Sequence, residues 1–154
     1  MPLTNRTAGD WAIKEAKLDR APGSTFSFGV IALAPDRVGC LDFERFLCPL
    51  DGLAVFSTRV PLAATVTPES LAKMGDYLAF AASLLVPGSH LDAIAFSCTS
   101  GTVAIGTNRV RAAIGEGRPG IPVHTPIDAG VAASNPDPDP QGAARYPQGS
   151  EEPR

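Results

Sequence analysis

The residues of this chain best suited to chemistry lie in one run, Phe96-Ser97-Cys98-Thr99-Ser100-Gly101-Thr102. The apolar stretch before it reads as a buried strand that ends in a thiol and a small polar loop, with a helix starting near Thr102. In open α/β sheets, ligands bind outside the carboxyl ends of the strands, where the N–H groups of the next helix favour an anion. The same N–H groups favour a thiolate over a thiol, so Cys98 reads as a base or nucleophile beside an anion pocket. Thr99, Ser100 and Gly101 would add hydrogen bonds to a bound carboxylate. The competing reading is a buried, inert cysteine, the commoner fate of a free thiol.

Other residues reach the same sheet edge. Arg59, at the end of a second apolar strand, suits a bidentate carboxylate clamp or a plain surface position. Asp36, in the loop Ala34-Pro35-Asp36-Arg37, suits either the pocket or a turn, with the turn favoured. Thr125 starts a helix after the fourth strand and joins the set of candidate substrate contacts. His124 ends that strand and could face the pocket, whereas His90, after Pro87-Gly88-Ser89, reads as exposed. Cys40 and Cys48 read as filler beside apolar helical positions. On one helix they would stand about 12 Å apart, beyond disulfide reach, so reduced thiols are expected.

Several chemistries lack their motifs. Gly101 to Gly106 has the spacing of a phosphate loop, but Thr107 stands where the lysine belongs, and no G-x-G-x-x-G occurs. No G-x-S-x-G elbow surrounds Ser97 or Ser100, which disfavours a serine hydrolase. Without C-x-x-C or H-x-x-x-H, no metal site is expected. The net charge is −3 with 13 Lys and Arg spread thinly, so nucleic acid is not an expected partner. The apolar run Tyr77 to Val86 is about half the ~20 residues a spanning helix needs. The start, MPLTNRTAGDWAIKEAKLDR, has no apolar signal region, so the expectation is a cytoplasmic protein without a membrane segment.

The elements that must position Cys98 are four apolar, β-branched runs: Phe28–Ala34, Leu53–Val60, Leu91–Ser97 and Ile121–His124. Three helical stripes lie between them: Phe43, Phe46, Leu47 and Leu50; Leu71, Met74, Leu78, Ala81 and Leu85; Val103, Gly106, Val110, Ala113 and Ile114. The second helix opens on Thr67-Pro68-Glu69 and stops before Pro87-Gly88. Alternation of this kind predicts an α/β fold, a parallel four-stranded sheet with helices on both faces, over 26–133. A polar segment, 1–25, precedes it. There, Trp11 and DWAIKEAKL suit a short helix packed on the body. From Ser134 to Arg154, five prolines and no Val, Ile, Leu, Met or Phe predict disorder.

The combination of FGVIALAPDR, TRVP followed by TPESLAKM, LDAIAFSCTSGTVAIG and IPVHTPIDA resembles the aspartate/glutamate racemase superfamily. The likeness is to its maleate isomerase and arylmalonate decarboxylase branch, and most of all to the ectoine-utilisation protein A subgroup. It covers about Phe28 to Ala133. It implies an enzyme of two similar α/β halves around a cleft, without a cofactor, with one catalytic cysteine per half and a small carboxylate or amino-acid derivative as substrate. By that resemblance Cys98 is the cysteine of the first half, and Thr99 and Ser100 hold the carboxylate. Two opposed thiols would move a proton from one face to the other. In the maleate-like variant one thiolate adds to the double bond, rotation follows, and elimination releases the trans isomer.

The resemblance covers a first half only, so the chain is expected to carry a half-site with weak or no turnover of its own. The alternative is a catalytically silent α/β fragment that at most binds small anions. Surface left uncovered by a missing half would suit a homodimer. The helical pattern Ile127, Gly130, Val131 gives way to SNPDPDPQGAARYPQGSEEPR without a capping glycine, which points to a frameshift near codon 133. Translating the coding DNA in its other frames tests this, and a further βαβ pattern with a strand-end cysteine is the expected result.

Overall fold

In the computed structural model, residues 23–47 and 49–134 are described. The expectations for the N-terminal segment and for the Pro-rich tail fall almost wholly outside them, as does Cys48. Four parallel strands, β1 (Phe26–Leu33), β2 (Leu53–Val60), β3 (Ala93–Phe96) and β4 (Val123–His124), form one sheet in the order β2-β1-β3-β4. The helices between them are α1 (Gly39–Leu47), α2 (Pro68–Lys73), α3 (Gly75–Ser83), α4 (Thr99–Ile105), α5 (Thr107–Gly117) and α6 (Pro126–Ser134). The fold is α/β, as expected. No described helix is long and apolar enough to cross a membrane.

The sheet separates two apolar clusters. Alternate residues of β1 enforce this, because side chains of a strand point to opposite faces. Ile31, with Ile94 and Phe96 of β3, faces Met74, Leu78, Ala81, Leu85, Val110 and Ile114 of the helices. Phe28, Val30 and Ala32 join Ala93, Ala95 and Cys40 on the other side. β1 pairs with β2 from Phe26↔Leu53 to Leu33↔Val60 and with β3 from Phe28↔Ala93 to Ile31↔Phe96, so it is central and almost wholly buried.

Three helical readings are corrected. In α1 the inward stripe is Cys40, Phe43 and Leu47, and Phe46 is 79% exposed because it lies about 100° around the helix from Leu47. The helix expected after Thr67 is interrupted at Met74. Its N-terminus is as read: the Thr67 hydroxyl accepts from Ser70 N–H (3.2 Å) and the Ser70 hydroxyl accepts from Thr67 N–H (2.8 Å). The third helix starts at Thr99, not near Thr102, and is divided at Gly106, whose φ of +89° an L side chain rarely adopts. Val103 is consequently exposed while Val110 and Ile114 are fully buried.

Candidate active site

The strand order puts a topological switch point between β1 and β3, the place where open α/β sheets bind ligands. From β1 the chain moves outward to β2, then returns to lay β3 on the other side of β1, so the loops leaving β1 and β3 diverge at their carboxyl ends. The first loop holds Ala34 to Val38, and the second is Ser97 and Cys98. Ser97 is anchored to β1, its N–H donating to Ile31 O at 2.8 Å, and it lies near the start of α1, where a Cβ built on Gly39 would stand 3.3 Å from Ser97 Oγ.

Cys98 is the N-cap of α4, with extended backbone (φ −149°, ψ 106°). Its sulfur accepts the Gly101 N–H at 3.2 Å, and its carbonyl accepts both the Thr102 N–H (2.9 Å) and the Thr102 hydroxyl (2.7 Å). The residue is half-buried and its thiol is free. Thr99 and Ser100 are exposed and occupy the first positions of α4, so they stand inside a helical turn instead of a loop. α4 has seven residues and ends at Gly106. The polarity at Cys98 therefore comes mainly from the nearby Gly101 N–H and less from the dipole of a long helix.

The other predicted residues have definite occupations. Asp36 Oδ1 accepts from Val38 N–H and Gly39 N–H, both at 2.9 Å, at the start of α1. Arg59 donates through Nη1 to the carbonyls of Leu33 (2.7 Å), Ala34 (3.3 Å) and Asp36, and Nη2 lies 4.0 Å from Cys40 Sγ. The fork expected to clamp a substrate carboxylate is thus turned onto the β1–α1 loop, because two N–H groups on Nη1 already serve three backbone oxygens. Thr125 is buried, and its hydroxyl donates to Asp128 Oδ2 at 2.8 Å. The same oxygen receives Arg111 Nη2 at 2.9 Å. This is a cap for α6.

The Asp36 carboxyl is held below its ordinary pKa by the Gly39 N–H first, the Val38 N–H second, and the Arg59 guanidinium to a smaller extent. A depressed carboxylate pKa contributes stability that is present above the unfolded-state value and is lost as pH falls through the folded-state value. Asp36→Asn keeps an acceptor oxygen but removes the titration. The expected result is a urea midpoint that, below about pH 4, falls less steeply than that of the parent. Asp36→Ala should cost about 1 kcal/mol at pH 7, the worth of one helix-start acceptor. Equal acid slopes for parent and Asp36→Asn would contradict this.

His90 and His124 are both exposed, and His90 pairs with Asp92 at 3.1 Å. Cys40 is buried in the second cluster, consistent with filler. An open groove of about 520 Å³ runs along α6, lined by Pro126, Ile127, Gly130, Val131 and Ser134, and none of the predicted site residues lines it. Sequence reading gave Ser97 and Gly39 no separate role. Their proximity spans 58 positions and no local pattern announces it, although a glycine opening a helix was a usable signal.

No protein-family model matches the chain, and no curated protein matches it by sequence. Among solved structures, the fold is similar to that of the maleate isomerase Iso from Pseudomonas putida S16, with a TM-score of 0.51 and 18% sequence identity. The similarity covers 69% of this chain and 47% of that one, so the chain spans about half the length of its structural neighbour. What the two share is the fold of this chain, a parallel four-stranded α/β sheet with its helices.

Proposed function

We propose that this chain is the first half of a cofactor-independent, cysteine-dependent isomerase or racemase that acts on a small carboxylate or amino-acid derivative. The observation that carries the proposal is the position of Cys98. On a sheet similar to half of a maleate isomerase, a half-buried free thiol follows the strand beside the switch point by two residues, and its sulfur accepts a backbone N–H. The resemblance of the LDAIAFSCTSGTVAIG and IPVHTPIDA runs to the ectoine-utilisation protein A subgroup supports a place in that branch of the class.

In the reaction proposed, Cys98 thiolate forms a C–S bond to one alkene carbon of a maleate-like dicarboxylate. The π pair moves to the neighbouring carbon, where the adjoining carboxylate delocalises it. The former double bond rotates as a single bond, the pair returns, the C–S bond breaks, and the trans isomer leaves with the thiolate regenerated. No net proton, electron or cofactor is consumed. Racemisation would differ in needing a second acid on the opposite face, which a partner half or a second copy of the chain would supply.

The test is proton NMR of maleate, aspartate and diaminobutyrate derivatives with the full chain, together with protection of Cys98 from iodoacetamide by maleate. Weak turnover and slower alkylation with maleate present are expected. Alkylation of Cys98 that is indifferent to saturating maleate would overturn the proposal in favour of a silent fragment.

A further inference from the structure

Beneath Cys98 the packing has no spare room. Gly101 is buried in the first turn of α4, and a Cβ built on it would stand 2.6 Å from Met74 Cε, 3.0 Å from Cys98 Sγ and 3.3 Å from Phe96 Cε1. Its φ is not in the left-handed region, so space, and not backbone conformation, calls for glycine here. Met74 sits at the junction of α2 and α3, is 1% exposed, and belongs to the main core cluster with Phe96. It is therefore closed in from behind. The Gly101 N–H is the same group that donates to the Cys98 sulfur at 3.2 Å.

We propose that Met74 and Gly101 are positioning residues for the reacting thiol: the Met74 methyl fills the space a side chain at 101 would take, and together they seat the Cys98 sulfur on the Gly101 N–H. The inference rests on the reading of Cys98 as the reacting group. A methyl at 101 would be trapped between Met74 and the sulfur. Since Met74 is backed by the core, the sulfur is what yields, and it leaves its N–H donor. Shortening Met74 by its terminal carbon gives the methyl room and returns the sulfur. Helix propensity alone predicts the reverse, because alanine is the better helix former.

The experiment measures the iodoacetamide alkylation rate of Cys98 in the full chain at pH 7 by peptide mass spectrometry. The variants are Gly101→Ala, Met74→Leu, the two combined, and Gly115→Ala as a helical glycine with nothing within 4 Å of its Cβ position. Gly101→Ala should slow Cys98 by about tenfold, the worth of one hydrogen bond to a charged sulfur. Adding Met74→Leu, which withdraws the Met74 Cε that stands 2.6 Å from the new methyl, should restore most of the rate. Gly115→Ala should leave it unchanged. A parent-like rate in folded Gly101→Ala, or no rescue by Met74→Leu, overturns the proposal. If Gly101→Ala does not fold, Met74→Leu alone decides: it loosens the seat and should slow Cys98, and an unchanged rate overturns the proposal. Maleate turnover, measured separately, distinguishes the two readings. The predicted alkylation pattern without maleate protection or turnover would leave the positioning intact and remove the isomerase. Cys98-dependent turnover that is indifferent to Gly101→Ala would do the opposite.

Discussion

Gly117→Ala should lower the stability of the fold by about 2 kcal/mol, although it places a better helix former at the end of α5. A methyl at 117 would collide with the carbonyl oxygen of Ala79 and stand 2.9 Å from both the Ala79 carbonyl carbon and Ala82 Cβ. Those atoms belong to α3, and backbone cannot rotate away as a long side chain can. Relief requires α5 to move off α3, which opens the contacts of Val110 and Ile114 with the core. Helix propensity returns about 1 kcal/mol against an overpacking cost of up to about 3 kcal/mol or more. Thermal melting should show a drop of roughly 5–10 °C. Gly115→Ala, on the same helix with open space around it, should hold or raise the melting temperature. Equal behaviour of the two variants would mean that the α3–α5 approach is not as close as described.

Cys98→Ser should remove turnover of any competent substrate by a factor on the order of 10³ or more while leaving the fold intact. The hydroxyl is a far poorer nucleophile near neutral pH than the thiolate it replaces. Stability should hold because Cys98 caps α4, and serine is among the preferred capping residues, able to accept the same Gly101 N–H. Loss of activity with an unchanged urea midpoint is the expected pair of results. Retained activity would move the chemistry to another residue.

The sheet and its core were legible because they follow short periods. Leu53–Val60 matches β2 residue for residue, and Met74, Leu78, Ala81 and Leu85 recur at helical spacing and are all buried. Phe46 misled because period alone cannot choose between a stripe through Phe46 and one through Cys40. The structure buries the smaller cysteine, where α1 lies close to β1. Gly106 was read as one member of an apolar stripe, whereas its positive φ divides the helix and leaves α4 with seven residues. At the candidate site, the place of Cys98 at the sheet edge was legible because it follows an apolar strand. The Arg59 contacts were not, since they join a strand end to carbonyls 23 to 26 positions earlier. The neighbours of Gly101 were hidden for the same reason: Met74 comes from the preceding crossover and meets it only in the folded core.

The most direct test of Cys98 as an activated, reacting thiol is its iodoacetamide rate at pH 7 in the folded chain, set against Cys40 in the same molecule and against Cys98 itself in the urea-unfolded chain. Exposure alone would favour Cys98 over buried Cys40, but exposure cannot make a half-buried sulfur faster than the same sulfur in an open chain. A folded-state Cys98 that outpaces both references is the predicted result. A Cys98 that is no faster than Cys40, or slower folded than unfolded, would contradict it.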